Sequence, residues 1–423
     1  MSRIETNESN HIMRENSNGG SYEYYGDLHA RQVINEMDQE NQQRDRMLQQ
    51  LIAGGGVASV TLEGDSNPEV VVANKGVGLQ FAAKMGGYLF YTKNGVTYAA
   101  KLDPKNWGKL ADGTTVTTAM ENACETLVHV PDCYLKGSEK TLYFGGDTQY
   151  TGMHKIGSPN WVGAYLMSVD ANGKGHSRPN TTPGHSKTMT EFWNCAQALG
   201  TSYGLANYQF HQVINALYQV CFGNLNSQKK IGAGFQHSNW QACRDVNMGL
   251  TKILGDGSGK VLYNDSTLGD QFPVKLFGFE DLWGKLWEFR PGIRFFMDGD
   301  VRKAVIYEGN VVSNSAAGRT ITGLLQSASG TYANKMELGE YWDMICKEAG
   351  GSDATYYCDG YWAATGGELL FVGGRAGSLA LCGLSAAHSN DAFSHSGTIL
   401  GARLAFYGNP TIVTGAQLAE LMA

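Results

Sequence analysis

Between residue 57 and about 145 the apolar side chains come in short runs cut by turn residues: VASVTLEG, EVVVANKG, GYLFYTKNGVTYAAKL and TLYFGG. Runs of this length, rich in Val, Tyr and Phe and bounded by Gly, Asn and Asp, predict β-strands. Asn94–Gly95 predicts a two-residue hairpin, since both turn positions need a positive φ. Gly76 to Lys84 reads as a loop or a short helix. After residue 146 the rhythm changes. TMTEFWNCAQALG (188–200) places Met189, Phe192, Trp193, Ala196 and Leu199 on one helical face. Thr188 and Glu191 form a capping box in front of it and Gly200 suits its end. LANYQFHQVINALYQVCFG (205–223) repeats the pattern with Phe210, Val213, Ile214, Leu217 and Cys221. Both stripes predict core.

The start of the chain has a different character. Residues 1–26 are polar, with a tyrosine cluster, and read as flexible or pinned to a partner. Residues 27–52 contain good helix formers and neither Gly nor Pro. Their apolar positions, Leu28, Val33, Ile34, Met37, Met47, Leu48, Leu51 and Ile52, are interrupted by a polar stretch at 38–46. Such a helix lacks a wide buried face and predicts an oligomerising or docking element, or a solvated spacer. AGGG at 53–56 reads as a boundary.

Beyond Gly232 the pattern is loops and short strands. The stretch 281–310 predicts a strand, a second strand, a turn at Asp298–Gly299 and a return strand, and 352–406 predicts further strands. Two helices followed by a loop-rich antiparallel sheet is an α+β arrangement. The expected domains are therefore a polar segment with an attachment helix (1–55), a small β module (56–150), and a larger ligand-binding domain (151–423).

Composition narrows the function. With 42% hydrophobic and 17% charged residues the chain can bury a core. The net charge of −7 supplies no basic footprint for nucleic acid; Lys229–Lys230 reads as a solvated turn. No stretch approaches the roughly 20 apolar residues of a membrane helix, so no membrane insertion is expected. The first residues show no signal-peptide core. The eight cysteines form no C-x-x-C pair and predict reduced, buried thiols.

Residues 373–406, GGRAGSLALCGLSAAHSNDAFSHSGTILGARLAF, carry only three permanent charges, Arg375, Asp391 and Arg403. With the helix pair at 188–223, GLTKILGDGSG (249–259), FGFEDLWGKLWEFRPGIRF (277–295), CGLS (382–385) and GARLAF (401–406), this stretch resembles a family. It is the C-type-lectin fold, in the branch shared by formylglycine-generating enzymes and the variable proteins of bacteriophage diversity-generating retroelements. The resemblance covers roughly 160–406. It implies a C-type-lectin-like domain and a tail receptor-binding protein, made in the host cytoplasm and carried in the virion. Its partners would be a bacterial surface glycan or protein and other tail proteins, the latter through the N-terminal region. A homo-oligomer, trimeric among other options, is expected.

In such proteins the diversified positions precede the Gly-x-Arg-Leu strand. The resemblance therefore implies ligand contacts at Arg375, Ser378, Ala386, His388, Ser389, Asn390, Asp391, Phe393, Ser394, His395 and Ser396. Gly377, Cys382, Gly383 and Leu384 would be scaffold. The aromatic cluster Tyr356, Tyr357, Tyr361 and Trp362 suggests that Tyr361 or Trp362 borders the same surface, since aromatics with a polar edge suit recognition.

Catalysis is not expected. The oxidase of the same branch needs two close cysteines after the Gly-Gly pair, and RAGSLALC offers Cys382 alone. Calcium-dependent sugar binding in the broader fold uses acidic Glu-Pro-Asn-type motifs; SPN (158–160) and RPN (178–180) lack the acid. DANG (170–173) and DGD (298–300) read as tight turns. His176 and His185 lie in a polar loop with no companion acid nearby, and His211 reads as core or interface. No cofactor or metal is expected. The alternatives are a formylglycine-generating-type oxidase and a purely structural tail protein.

Overall fold

The computed structural model describes residues 5–6, 11–15, 21–25, 39, 42–43, 46–62, 68–138, 140–355 and 357–423. The chain divides into two compact units, Met1–Gly56 and Val57–Ala423. Unit one contains a three-stranded antiparallel sheet of Glu5–Thr6, His11–Glu15 and Ser21–Tyr25. This is regular structure where the composition predicts a loose polar segment. Residues 39, 42–43 and 46–53 are helical; the rest of the predicted helix lies outside the described residues.

The second unit mixes α and β. Each run that the pattern predicts at 57–146 contains strand, Glu125–His129 and Cys133–Ser138 are further strands it did not show, and Asn94 and Gly95 turn the hairpin at φ 52° and 77°. Lys75–Lys84 is a helix. A separate β module at 56–150 is not what forms, however. A seven-stranded sheet runs Tyr203–Leu205, Arg403–Phe406, Trp161–Leu166, Glu125–His129, Gly86–Lys93, Val96–Lys101, Thr411–Val413. It takes three strands from before residue 150 and four from after. The physical reason is that a short hairpin cannot bury its own apolar face, and both sides of the proposed boundary share one core.

Helix Met189–Gln197 starts on the expected capping box, Thr188 Oγ1 accepting from Glu191 N at 3.2 Å and Glu191 Oε2 from Thr188 N at 2.7 Å. Helix Tyr208–Phe222 begins at Asn207 and is buried almost all round. Most of its buried polar groups are engaged, with Gln209 Oε1 and the Tyr218 hydroxyl the exceptions. Gln209 and Gln212 donate to Tyr307 O and Asp343 Oδ1 at 3.0 and 2.9 Å. Gln219 accepts from Trp342 Nε1 at 3.0 Å, and Asn215 from Ser385 Oγ at 2.8 Å. The last of these ties the central helix to the region of interest.

A second seven-stranded sheet holds that region. Its order is Ile345–Ala349, Ala328–Glu337, Tyr357–Ala363, Ala387–Ser389, Phe371–Val372, Trp287–Phe289, Leu400–Gly401. Trp283 and Trp287 are buried, and Trp283 Nε1 donates to Gly232 O at 2.9 Å. Beneath the sheets, Glu288 meets Arg403. Arg403 Nε and Nη2 donate to the two carboxylate oxygens at 3.0 and 2.9 Å. Its remaining donors reach the carbonyls of Gly163, Ala164 and Glu280 at 3.0, 2.9 and 2.8 Å. Arg290 Nη1 also donates to Glu288, at 3.0 Å. Burial pushes the Glu288 carboxyl up, but Arg403 and Arg290 outweigh it and leave the group below its ordinary range.

Candidate ligand-binding face

The tract opens with Gly373 and Gly374 at φ 90° and 82°, a region glycine alone enters freely. A Cβ on Gly373 would stand 2.3 Å from Leu282 O, and one on Gly374 2.7 Å from Cys382 Sγ. The pair seats the chain directly against the frame. A 3₁₀ segment, Ala376–Leu381, follows. Within it Leu379 is 49% exposed at φ 51°, ψ −124°. Its carbonyl accepts from Gln228 Nε2 and Gln236 Nε2 at 3.0 and 3.1 Å. The Arg375 guanidinium lies over the Trp240 ring at 5.0 Å. Arg244 lies 5.8 Å from that ring and donates to Thr398 O at 3.4 Å.

The chain then enters the second sheet as a central strand. Ala387–Ser389 pairs in parallel with Tyr361–Ala363 and antiparallel with Phe371–Val372. One face of a central strand must be buried, and this sets a correction. Ala386 and Ser389 are wholly buried and Tyr361 is 1% exposed. These three expected contacts are scaffold. Ser389 Oγ accepts from the buried Arg302 Nη1 at 3.1 Å and donates to Trp362 O at 3.2 Å, and Arg302 Nη2 also binds the Ser389 carbonyl.

The other face and the following loop stay open. Ser394 and Ser396 are exposed, while Trp362, Arg375, Ser378, His388, Asn390, Asp391, Phe393 and His395 are half-buried. Trp362 packs edge-on against Trp287 at 5.2 Å and stacks on His388 at 5.9 Å. Asp391 sits between two imidazoles, its carboxylate oxygens 3.4 Å from His388 Nδ1 and 3.4 Å from His395 Nδ1. Burial, and to a lesser degree His395, pushes His388 down to about 4. Burial holds Asp391 above the usual carboxylate range against the pull of His395. The backbone of the loop is pinned: Asp391 O accepts from Glu368 N at 2.8 Å, and Glu368 Oε2 from Phe393 N at 2.7 Å.

Two polar atoms of this face, Arg375 Nη1 and Asn390 Oδ1, are withdrawn from solvent yet have no hydrogen-bond partner, and His388 Nδ1 has only its 3.4 Å ion-pair contact to Asp391. Native structures leave few such groups.

No protein-family model matches the sequence, and no curated protein sequence matches it. Among solved structures, the chain is similar to the Major Tropism Determinant U1, P3c and M1 variants. The TM-scores are 0.27, 0.27 and 0.28, at 14% identity over 76% of this chain and 72% of each of theirs. Superpositions this loose decide nothing about the site, which stands on the residues just described.

Other positions that tempt on sequence resolve differently. His176 does acquire acids, one distant and one local in sequence: its Nδ1 lies 2.8 Å from Glu125 Oε1 and its Nε2 3.4 Å from Asp170 Oδ2, six residues away. Arg178 Nη2 also donates to Glu125 at 2.7 Å. DANG is a tight turn, Asp170 Oδ1 accepting from Asn172 N and Lys174 N at 2.9 and 2.8 Å. Among the described residues no group of three or more His, Cys, Asp or Glu is placed to hold a metal ion. Trp240, Arg244, Gln228, Gln236 and Glu368 were not expected at the face. They come from segments with no sequence mark beyond a short capped helix, Trp240–Arg244.

Proposed function

We propose that the chain is a noncatalytic receptor-binding protein of a bacteriophage tail, built on a C-type-lectin-like frame. The turn from Arg375 to Leu379 and the loop from His388 to Ser396, bordered by Trp362, would meet a bacterial surface molecule. The observation that carries this reading is the division of labour within one tract. Backbone and buried side chains are fixed by Glu368, Arg302 and the glycine pair, while the outward side chains leave polar atoms unpaired. A frame of that kind tolerates exchange of its outward residues without refolding, which is what retroelement diversification of this tract would require. The first unit would join the chain to other tail proteins, and several copies would act together, since weak single contacts gain from multivalency.

The test is attachment of fluorescently labelled protein to a panel of bacterial cells. Phe393→Ala and His395→Ala are expected to abolish attachment to the bound strain with no change in melting temperature. Undiminished attachment by both would reject the reading.

A further inference from the structure

A cleft of about 640 Å³ lies between the loop at 245–250 and the hairpin formed by Tyr263–Asp265 and Gly269–Gln271. It is large enough for a small-molecule ligand. Its floor is aliphatic: Val246 and Leu268 close over Phe235 and Cys243, in a small core that also contains Ala376. Both walls are held without any ligand. Buried Glu280 accepts from Gly249 N, Thr251 N and Thr251 Oγ1 at 2.7, 2.8 and 2.7 Å. Asp265 Oδ1 accepts from Thr267 N and Leu268 N at 2.8 and 3.2 Å. A site already in shape loses little entropy on binding.

The groups that face into this cleft select the ligand. Among the described residues the Asn247 amide and the hydroxyls of Tyr263 and Thr267 have no hydrogen-bond partner. Asp265 adds a carboxylate acceptor through Oδ2, and no Lys or Arg lines the cavity. Arg244 is turned to Asp245 instead, at 2.6 Å. Phosphates and acidic sugars would meet the Asp265 carboxylate, which has no Lys or Arg of the lining beside it. A pyranose meets amide and carboxylate groups that match adjacent hydroxyls, a tyrosine, and an apolar floor for its C–H face.

We infer that this cleft is a metal-independent binding site for a neutral saccharide. It adjoins the face described above, since Arg244 also reaches Thr398 and Ala376 belongs to its floor cluster. Its role in cell attachment rests on the receptor reading; its binding activity does not.

The experiment titrates the whole chain with chitotriose, maltotriose and lactose, and with 3′-sialyllactose as the acidic control. Calorimetry and saturation-transfer NMR report binding. At least one neutral saccharide is expected to bind at millimolar concentration or below, unchanged by EDTA, with the acidic control weaker. Asn247→Ala and Tyr263→Phe should each weaken it about tenfold, the loss of one hydrogen bond, at unchanged melting temperature. Phe393→Ala should leave it intact. Failure of all three neutral saccharides to bind, or full binding by both cleft variants, overturns the inference. If cell attachment survives both Phe393→Ala and His395→Ala, the receptor reading fails and the titration still decides the cleft. If the titration fails, attachment still decides the receptor reading.

Discussion

Arg403 grips Glu288 through both carboxylate oxygens, and neither side chain touches solvent. Two strands far apart in sequence, Trp287–Phe289 and Arg403–Phe406, are joined by this pair. Removing one partner strands a charge in a low-dielectric interior. Arg403→Met and Glu288→Gln are each expected to destabilise the fold by about 3–5 kcal/mol, read from guanidinium denaturation. The linkage has a definite sign. Glu288 is held below its ordinary range, so its contribution is present above the unfolded value and fades as pH falls through the folded one.

The tract divides into frame and face residue by residue. Ala386 has no exposed surface, while Ser394 is exposed. Ala386→Phe is expected to lower stability by about 1–3 kcal/mol through overpacking. Ser394→Phe should stay within about 0.5 kcal/mol of the parent. Equal melting temperatures for the two variants would contradict the map.

Asp359 is buried under the tract and accepts from Ser385 N at 2.8 Å. Burial pushes its carboxyl up to about 7, against the pull of that amide. A folded value above the unfolded one means the folded state binds the extra proton, so this group removes stability as pH rises from about 4 to 7. Asp359→Asn keeps an acceptor and cannot ionise. Its stability relative to the parent should climb with pH across that window, by up to about 1.4 kcal/mol per unit. A flat difference between pH 4 and 8 would refute the assignment.

All eight cysteines are free and buried. Burial pushes the thiols of Cys124, Cys221, Cys346 and Cys243 up to about 12, 12, 12 and 11, so thiolate is scarce near neutrality. Ellman's reagent should label less than one thiol per chain in minutes under native conditions and all eight after denaturation. Rapid native labelling of Cys382 would show that the tract opens.

Local signals in the sequence were the ones that carried through. The capping box at Thr188, the Asn94–Gly95 hairpin and the two apolar helix stripes depend on neighbours within a few residues. The joining of 56–150 to the rest did not show, because strand pairing between Trp161 and Phe406 leaves no mark in either segment. The same cause hid one acid of His176: Glu125 stands 51 positions away. Within the tract, Ser389 looks like any polar loop residue until Arg302, 87 positions earlier, is placed against it. The burial of Ser389 does not show in sequence because the three residues of strand Ala387–Ser389 are too few to reveal a period of two, and Ala386 lies just before that strand.

Strand Arg403–Phe406 lies between Tyr203–Leu205 and Trp161–Leu166 in the first sheet. During synthesis that slot stays empty until the tract and the strand behind it have left the ribosome. A copy interrupted within the tract therefore carries an open seam through its middle. The cell's proteases can remove it through that seam.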